Sequence, residues 1–216
     1  MFSNYFHPVS SEILELKKNA VPGTIGEAIT VFSNDDFPDF QKAEVAIFGV
    51  DENRGIINKE SVSMHMDSIR KSLYSLYIGN WKVRILDLGD FKLGEEIRDT
   101  YFAITDLMSN LISDGVIPIV IGGGQDLCYP MYKSYESFNK GINICSLDSK
   151  FDMISPESLK LNSNNYLGNI IKEDPNHLNS FSNIGFQSYF VQKDEAHEME
   201  KMFFETFRLG DFRQNI

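Results

Sequence analysis

Two stretches decide the fold: Val116-Ile117-Pro118-Ile119-Val120-Ile121-Gly122-Gly123-Gly124-Gln125-Asp126 and Ile142-Asn143-Ile144-Cys145-Ser146-Leu147-Asp148-Ser149-Lys150-Phe151-Asp152. Each opens with a short apolar run rich in β-branched residues, the pattern of a strand covered on both faces. Between them Tyr129, Tyr132, Tyr135 and Phe138 mark a helical crossover, so the runs read as strands of one α/β sheet. Polar side chains then arrive at the carboxyl ends of the strands, where open α/β sheets keep their ligand sites. Glycine has no Cβ to clash at positive φ, so Gly122-Gly123-Gly124 turns the chain sharply and presents Gln125 at that crevice. After the second strand, Asp148, Lys150 and Asp152 are spaced by two and share one face if the extended geometry continues.

The same alternation extends outward from this centre. Ser10 or Ser11 caps a helix that runs to about Lys18 and stops before Pro22-Gly23. Residues 24–40 read as loop with short elements. Ala43 to Val50 is a strand leading into the polar loop Asp51-Glu52-Asn53-Arg54-Gly55, and the helix after Ser61 sets Met64, Ile69, Leu73 and Leu76 toward the core. Trp81 to Asp90 is the next strand. Leu93 to Ser113 is a helix carrying Ile97, Tyr101, Ile104, Leu107, Met108 and Leu111 at steps of three and four. Ser182 to Val191, Asp194 to Phe204 and Phe207 to Gly210 continue as strand, helix and short strand. This order predicts a three-layer α/β/α sandwich around a mainly parallel, doubly wound sheet. With 42% hydrophobic residues, residues 1–216 read as a single domain, 1–42 being an N-terminal extension packed on it.

Composition excludes some classes of function. A net charge of −11 with no basic stripe argues against a nucleic-acid surface. No apolar run has the length of a membrane span, and the first residues lack the basic start and apolar run of a secretory signal. Cys128 and Cys145 have no C-x-x-C partner and read as reduced thiols, which makes a cytoplasmic setting the expectation. His7, His65, His177 and His197 form no metal-binding pair, and there is no Gly-x-Ser-x-Gly elbow.

Gly-Gly-Gly-Gln-Asp at 122–126 and Asp-Ser-Lys-Phe-Asp at 148–152, each after an apolar strand, resemble the paired motifs of the ureohydrolase superfamily of arginase, agmatinase and formimidoylglutamase. The strand Val45–Val50, the Ile69-Arg70 pair and the Asp87-Leu88-Gly89 strand agree. The overall pattern is most similar to the formimidoylglutamase-like branch. The resemblance implies an arginase-like sheet and a two-manganese site at strand ends, its motifs being Gly-Gly-x-His and Asp-Ala-His-x-Asp. Here Gln125 and Lys150 stand at the two histidine positions, while Asp148 and Asp152 keep their ligand type. The family's third metal motif has no counterpart, and the sheet's last two strands, placed in its middle, are expected to be absent.

The resemblance therefore implies a hydrolase fold whose metal site is largely lost. A two-metal hydrolase needs enough donors to hold both ions and lower the pKa of a bridging water. Asp148 and Asp152 are the only expected metal ligands, so no cofactor is expected unless the family site survives to hold manganese. A charged lysine offers no lone pair, so Lys150 is expected to neutralise both carboxylates as an internal ion pair. Residual chemistry would use Asp148 or Asp152 as base, Gln125 to orient substrate and Lys150 to stabilise negative charge. Asn53, Arg54, Asn162, Asn165 and Gln187 are the substrate-binding candidates, each read alternatively as turn or loop structure. Three functions stay open: a weak or inactive ureohydrolase relative, an active C–N hydrolase on a formimino or guanidino substrate, and a module binding a small ligand or protein in the same crevice. A small-molecule ligand, a second copy of the chain and a completing chain are the partners this allows, with neither nucleic acid nor membrane.

Overall fold

Strand and helix alternate in the order the sequence implies, and the computed structural model describes residues 2–34, 36–40, 43–57, 65–153 and 160–214. Two compact units emerge: Met1–Arg54 with Lys59–Gly123, and Gly55–Asn58 with Gly124–Ile216. The first contains β1 (Phe6–His7), α1 (Ser11–Lys18), α2 (Ile25–Ala28), β2 (Thr30–Val31), β3 (Val45–Gly49), α3 (Met66–Tyr74), β4 (Ile85–Phe91), α4 (Ile97–Ser113) and β5 (Ile117–Ile121). Its sheet runs β1-β4-β3-β5, with β2 also on β4. The β3–β4, β2–β4 and β3–β5 pairs are parallel, whereas Phe6 and His7 of β1 lie antiparallel to Phe91 and Asp90.

Local chemistry explains most of these elements. Ser10 Oγ accepts from the Ile13 amide at the start of α1, and Lys17 and Lys18 stand in its last turn, where the helix dipole favours cations. Glu96 and Asp99 make a reciprocal capping box at α4. Ile104, Leu107, Met108 and Leu111 of α4 are buried at the spacing expected. In α3 the buried face is Met66, Arg70 and Tyr74, while Ile69 and Leu76 are 45% and 55% exposed. Of the apolar stripe read from the sequence, Leu73 packs against the core while Ile69 and Leu76 turn away from it, and Met64 lies outside the described residues. The buried Arg70 guanidinium, bonded to Asp87 of β4, fixes the helix rotation.

The 24–40 stretch holds α2 and β2, and the N-terminal extension adds β1, none of which periodicity revealed because strands of two residues have none. The core of this unit joins Val9, Ile13, Ile29, Val31, Ile47, Met66, Tyr74 and Ile121. Beside it, the Phe6 ring meets those of Phe48 and Phe91 edge-on.

The second unit contains α5 (Cys128–Glu136), β6 (Ile142–Leu147), α6 (Tyr166–Ile171), β7 (Leu178–Phe186), α7 (Lys193–Lys201), β8 (Glu205–Arg208) and α8 (Leu209–Gln214). Its three strands are parallel in the order β6-β7-β8. β7 begins four residues before the expected Ser182 and ends at Phe186, where Gln187 enters a turn closed by Phe190 N–H on the Gln187 carbonyl. Its core joins Tyr132, Phe151, Tyr166, Leu167, Ile170, Phe181 and Met199. Among the described residues β5 pairs only with β3 and β6 only with β7, so pairing is not continuous from Ile119 to Ile144. Ile117 is 62% exposed and Leu147 80%. No described helix is long and apolar enough to cross a membrane.

Candidate functional site

The three glycines behave as the sequence implies. Gly122 and Gly123 both adopt positive φ, 91° and 78°, a conformation only glycine takes freely. A Cβ on Gly124 would lie 2.1 Å from the Asp126 carboxyl, so this position has room only for hydrogen. A short 3-10 turn, Gln125–Leu127, follows within the second unit. It brings the Gln125 amide nitrogen onto Asp148 Oδ2, which accepts its hydrogen.

Asp148 stands one residue past β6, its N–H bonded to the Ile184 carbonyl of β7. Its other oxygen accepts from Ser149 Oγ at 3.3 Å and from the Lys150 N–H at 3.2 Å. The Gln187 N–H donates to the Ser149 carbonyl, and Asn183 Nδ2 donates to the Lys150 carbonyl at 2.9 Å. The loop after β6 is thereby tied to β7. Extended geometry stops there: Phe151 is buried against Phe186, ring centroids 5.2 Å apart, and Asp152 has φ of 53°.

This break decides where the charges go. Asp152, 4% exposed, is buried beside Asp148. Burial pushes its carboxyl up to about 7, the neighbouring Asp148 adding to the effect and the Lys150 charge opposing it. Lys150 itself is exposed, and among the described residues it makes no ion pair with either carboxylate. The internal ion pair expected from the sequence is therefore not formed, because the alternation that would have put all three side chains on one face ends with β6. Two neighbouring carboxyls, Asp148 capped by Gln125 and Asp152 buried beside it, take its place.

A cavity of about 90 Å³ adjoins the pair, lined by Lys150, Asp152, Asn164, Phe190, Gln192 and Glu195. Glu195 is held by two backbone amides, those of Met153 and Gln192. The sequence reading missed Glu195 and Asn183. The Gln-x-x-Glu spacing at the start of α7, a capping box in the structure, was the available signal for Glu195. Asn183, fully buried in a strand read as ordinary, gave none.

The other candidates are engaged structurally. Asn162 and Asn165 spend their amides on the turn before α6: the Asn162 N–H donates to Asn165 Oδ1, and both side-chain nitrogens donate to the Lys160 carbonyl. In the first unit, Arg54 is bidentate to the buried Glu52 and also donates to the Gly94 and Glu95 carbonyls and to Thr100 Oγ1. Asn53 donates to Asp51 Oδ1 at 2.5 Å. That unit has its own larger cavity, about 600 Å³, lined in part by His7, Asp51, His65 and Asp90.

The donor set does not fit a two-manganese centre. Gln125 turns its nitrogen, a donor, toward Asp148, and Lys150 has no lone pair to give. Among the described residues no three His, Cys, Asp or Glu side chains converge as a metal site would require.

The sequence pattern of the arginase family matches residues 43–215. No curated protein sequence matches the chain. Among solved structures, the chain is similar to the formiminoglutamase of Trypanosoma cruzi, with manganese, at 16% identity and a TM-score of 0.68, covering 83% of this chain and 67% of that one. It is similar to the formimidoylglutamase of Bacillus subtilis at 15% identity and a TM-score of 0.69, covering 85% and 63%. The agmatine ureohydrolase of Thermoplasma volcanium shares 19% identity at a TM-score of 0.64, covering 94% and 67%. At these identities the likeness shows the fold, and the chain spans about two thirds of the length of those structures.

Proposed function

The chain belongs to the arginase family, and from that premise we propose that it is a ureohydrolase relative whose two-manganese site is largely lost, weak or inactive as a C–N hydrolase by itself. The observation that carries this reading is the Gln125 amide nitrogen on Asp148, with two carboxylates left where a metal pair needs more donors. The test is a hydrolysis screen of the purified chain on formimidoylglutamate, arginine and agmatine with and without added manganese. Turnover no faster than the uncatalysed rate in both conditions is expected; manganese-dependent turnover of any of the three would reverse the reading.

One observation favours residual chemistry. A carboxyl poised at about 7 is matched to proton transfer at neutral pH. In that second reading Asp152 exchanges the proton, Gln125 orients the substrate and Lys150, in the adjoining cavity, faces a negative group. The unpaired edges of β5 and β6 support a further part of the proposal, that a second copy or a completing chain adds strands to them. Two free cysteines, Cys128 and Cys145, support a cytoplasmic setting.

A further inference from the structure

We propose that Gln125 is the residue that keeps divalent cations off the Asp148–Asp152 pair. An ion bound there would need lone pairs from both carboxylates and at least one further donor. Asp148 has little to give: Oδ2 accepts the Gln125 amide hydrogen, and Oδ1 accepts from Ser149 Oγ and the Lys150 N–H. Asp152 is buried, 4% exposed. A cation taking Asp148 Oδ2 as a ligand would thus have to displace the Gln125 contact. It would gain nothing from the amide nitrogen, which carries hydrogens and no available lone pair.

Gln125, exposed, opens the 3-10 turn Gln125–Leu127, which sets its side chain beside Asp148. Exchanging the amide for a ligating group at this one position therefore converts the closing contact into a third donor, alongside Asp148 and Asp152. The inference rests on the reading that this chain's own donors do not assemble the two-ion centre. Its test measures binding and not turnover, so the two fail separately: activity could be absent while the wild-type chain still binds manganese.

The experiment titrates Mn²⁺ into the wild-type chain and into Q125H and Q125E. The free-ion electron paramagnetic resonance signal and the thermal midpoint are followed together. The wild-type chain is expected to leave Mn²⁺ free and its midpoint unmoved. Both variants are expected to take up the ion with at least about tenfold tighter affinity, the scale on which even outer-shell partners change metal sites, and to melt higher with it than without. A midpoint rise in the wild type equal to that of the variants overturns the proposal, as does the absence of a response in a folded variant. Q125E is nearly isosteric with the wild type and keeps the test decisive should Q125H fail to fold.

Discussion

The Asp152 carboxyl is buried beside Asp148, and this has a measurable signature. Its folded pKa, about 7, lies above the ordinary carboxylate range, with Asp148 and Glu195 raising it and Lys150 lowering it. A group of this kind stabilises the fold fully below its unfolded pKa, and that contribution is lost as pH rises through the folded value. The chain is expected to lose about 3 kcal/mol between about pH 5 and about pH 8 from this residue alone. D152N mimics the protonated acid, and asparagine tolerates the left-handed backbone, so urea melts of D152N should show that slope flattened. Equal slopes in both proteins would refute the assignment. The identities of these residues were legible in the sequence, because a glycine run and two aspartates after a strand are local signals. The direction of Lys150 was not, because it depends on where β6 stops, which the burial of Phe151 against Phe186 decides.

At the level of elements, α3 shows how a polar contact can outweigh an apolar stripe. Arg70, fully buried, donates to both Asp87 oxygens, to the Gly89 carbonyl and to Asp90, while Tyr74 also donates to Asp87. Burial and the Asp87 charge raise the Tyr74 hydroxyl pKa, so the phenol stays protonated as a donor. Removing the cation leaves the buried Asp87 carboxylate without its main partner, a change that costs about 3–5 kcal/mol in comparable pairs. R70A is expected to lose that much stability by chemical denaturation. R70M with D87L, which removes both charges, should recover part of it; a double variant no more stable than R70A would show that packing, not charge, dominates. Periodicity foresaw this helix but only the Leu73 part of its packed face, since counting apolar residues gives an arginine no weight toward the core. It named the correct face of α4, where no buried charge competes.

Among the described residues the chain carries two sheets, and β5 and β6 each have one edge with no strand paired to it. Parallel strands are ordinarily covered on both faces, and exposed apolar edges promote association. The purified chain is therefore expected to associate as its concentration rises, read as mass by light scattering after size exclusion. I119K, which puts a charge on the half-exposed side of β5, should weaken that association about tenfold, or about 1.4 kcal/mol. A monomer at every concentration, indifferent to the substitution, would remove the edge from consideration. The alternation of strand and helix was legible in the sequence; the short strands on β4 were not, because their pairing joins residues far apart in sequence.

The antiparallel seat of β1 on β4 carries a further consequence. Phe6 pairs with Phe91, and the Gly89 backbone runs so close to the His7 carbonyl that a Cβ there would lie 2.0 Å from it. A ribosome makes about 5–20 residues each second, so β1 waits on the order of ten seconds for its docking place on β4 to be synthesised. Until then its phenylalanine is in the care of the solvent, the exit tunnel or a chaperone.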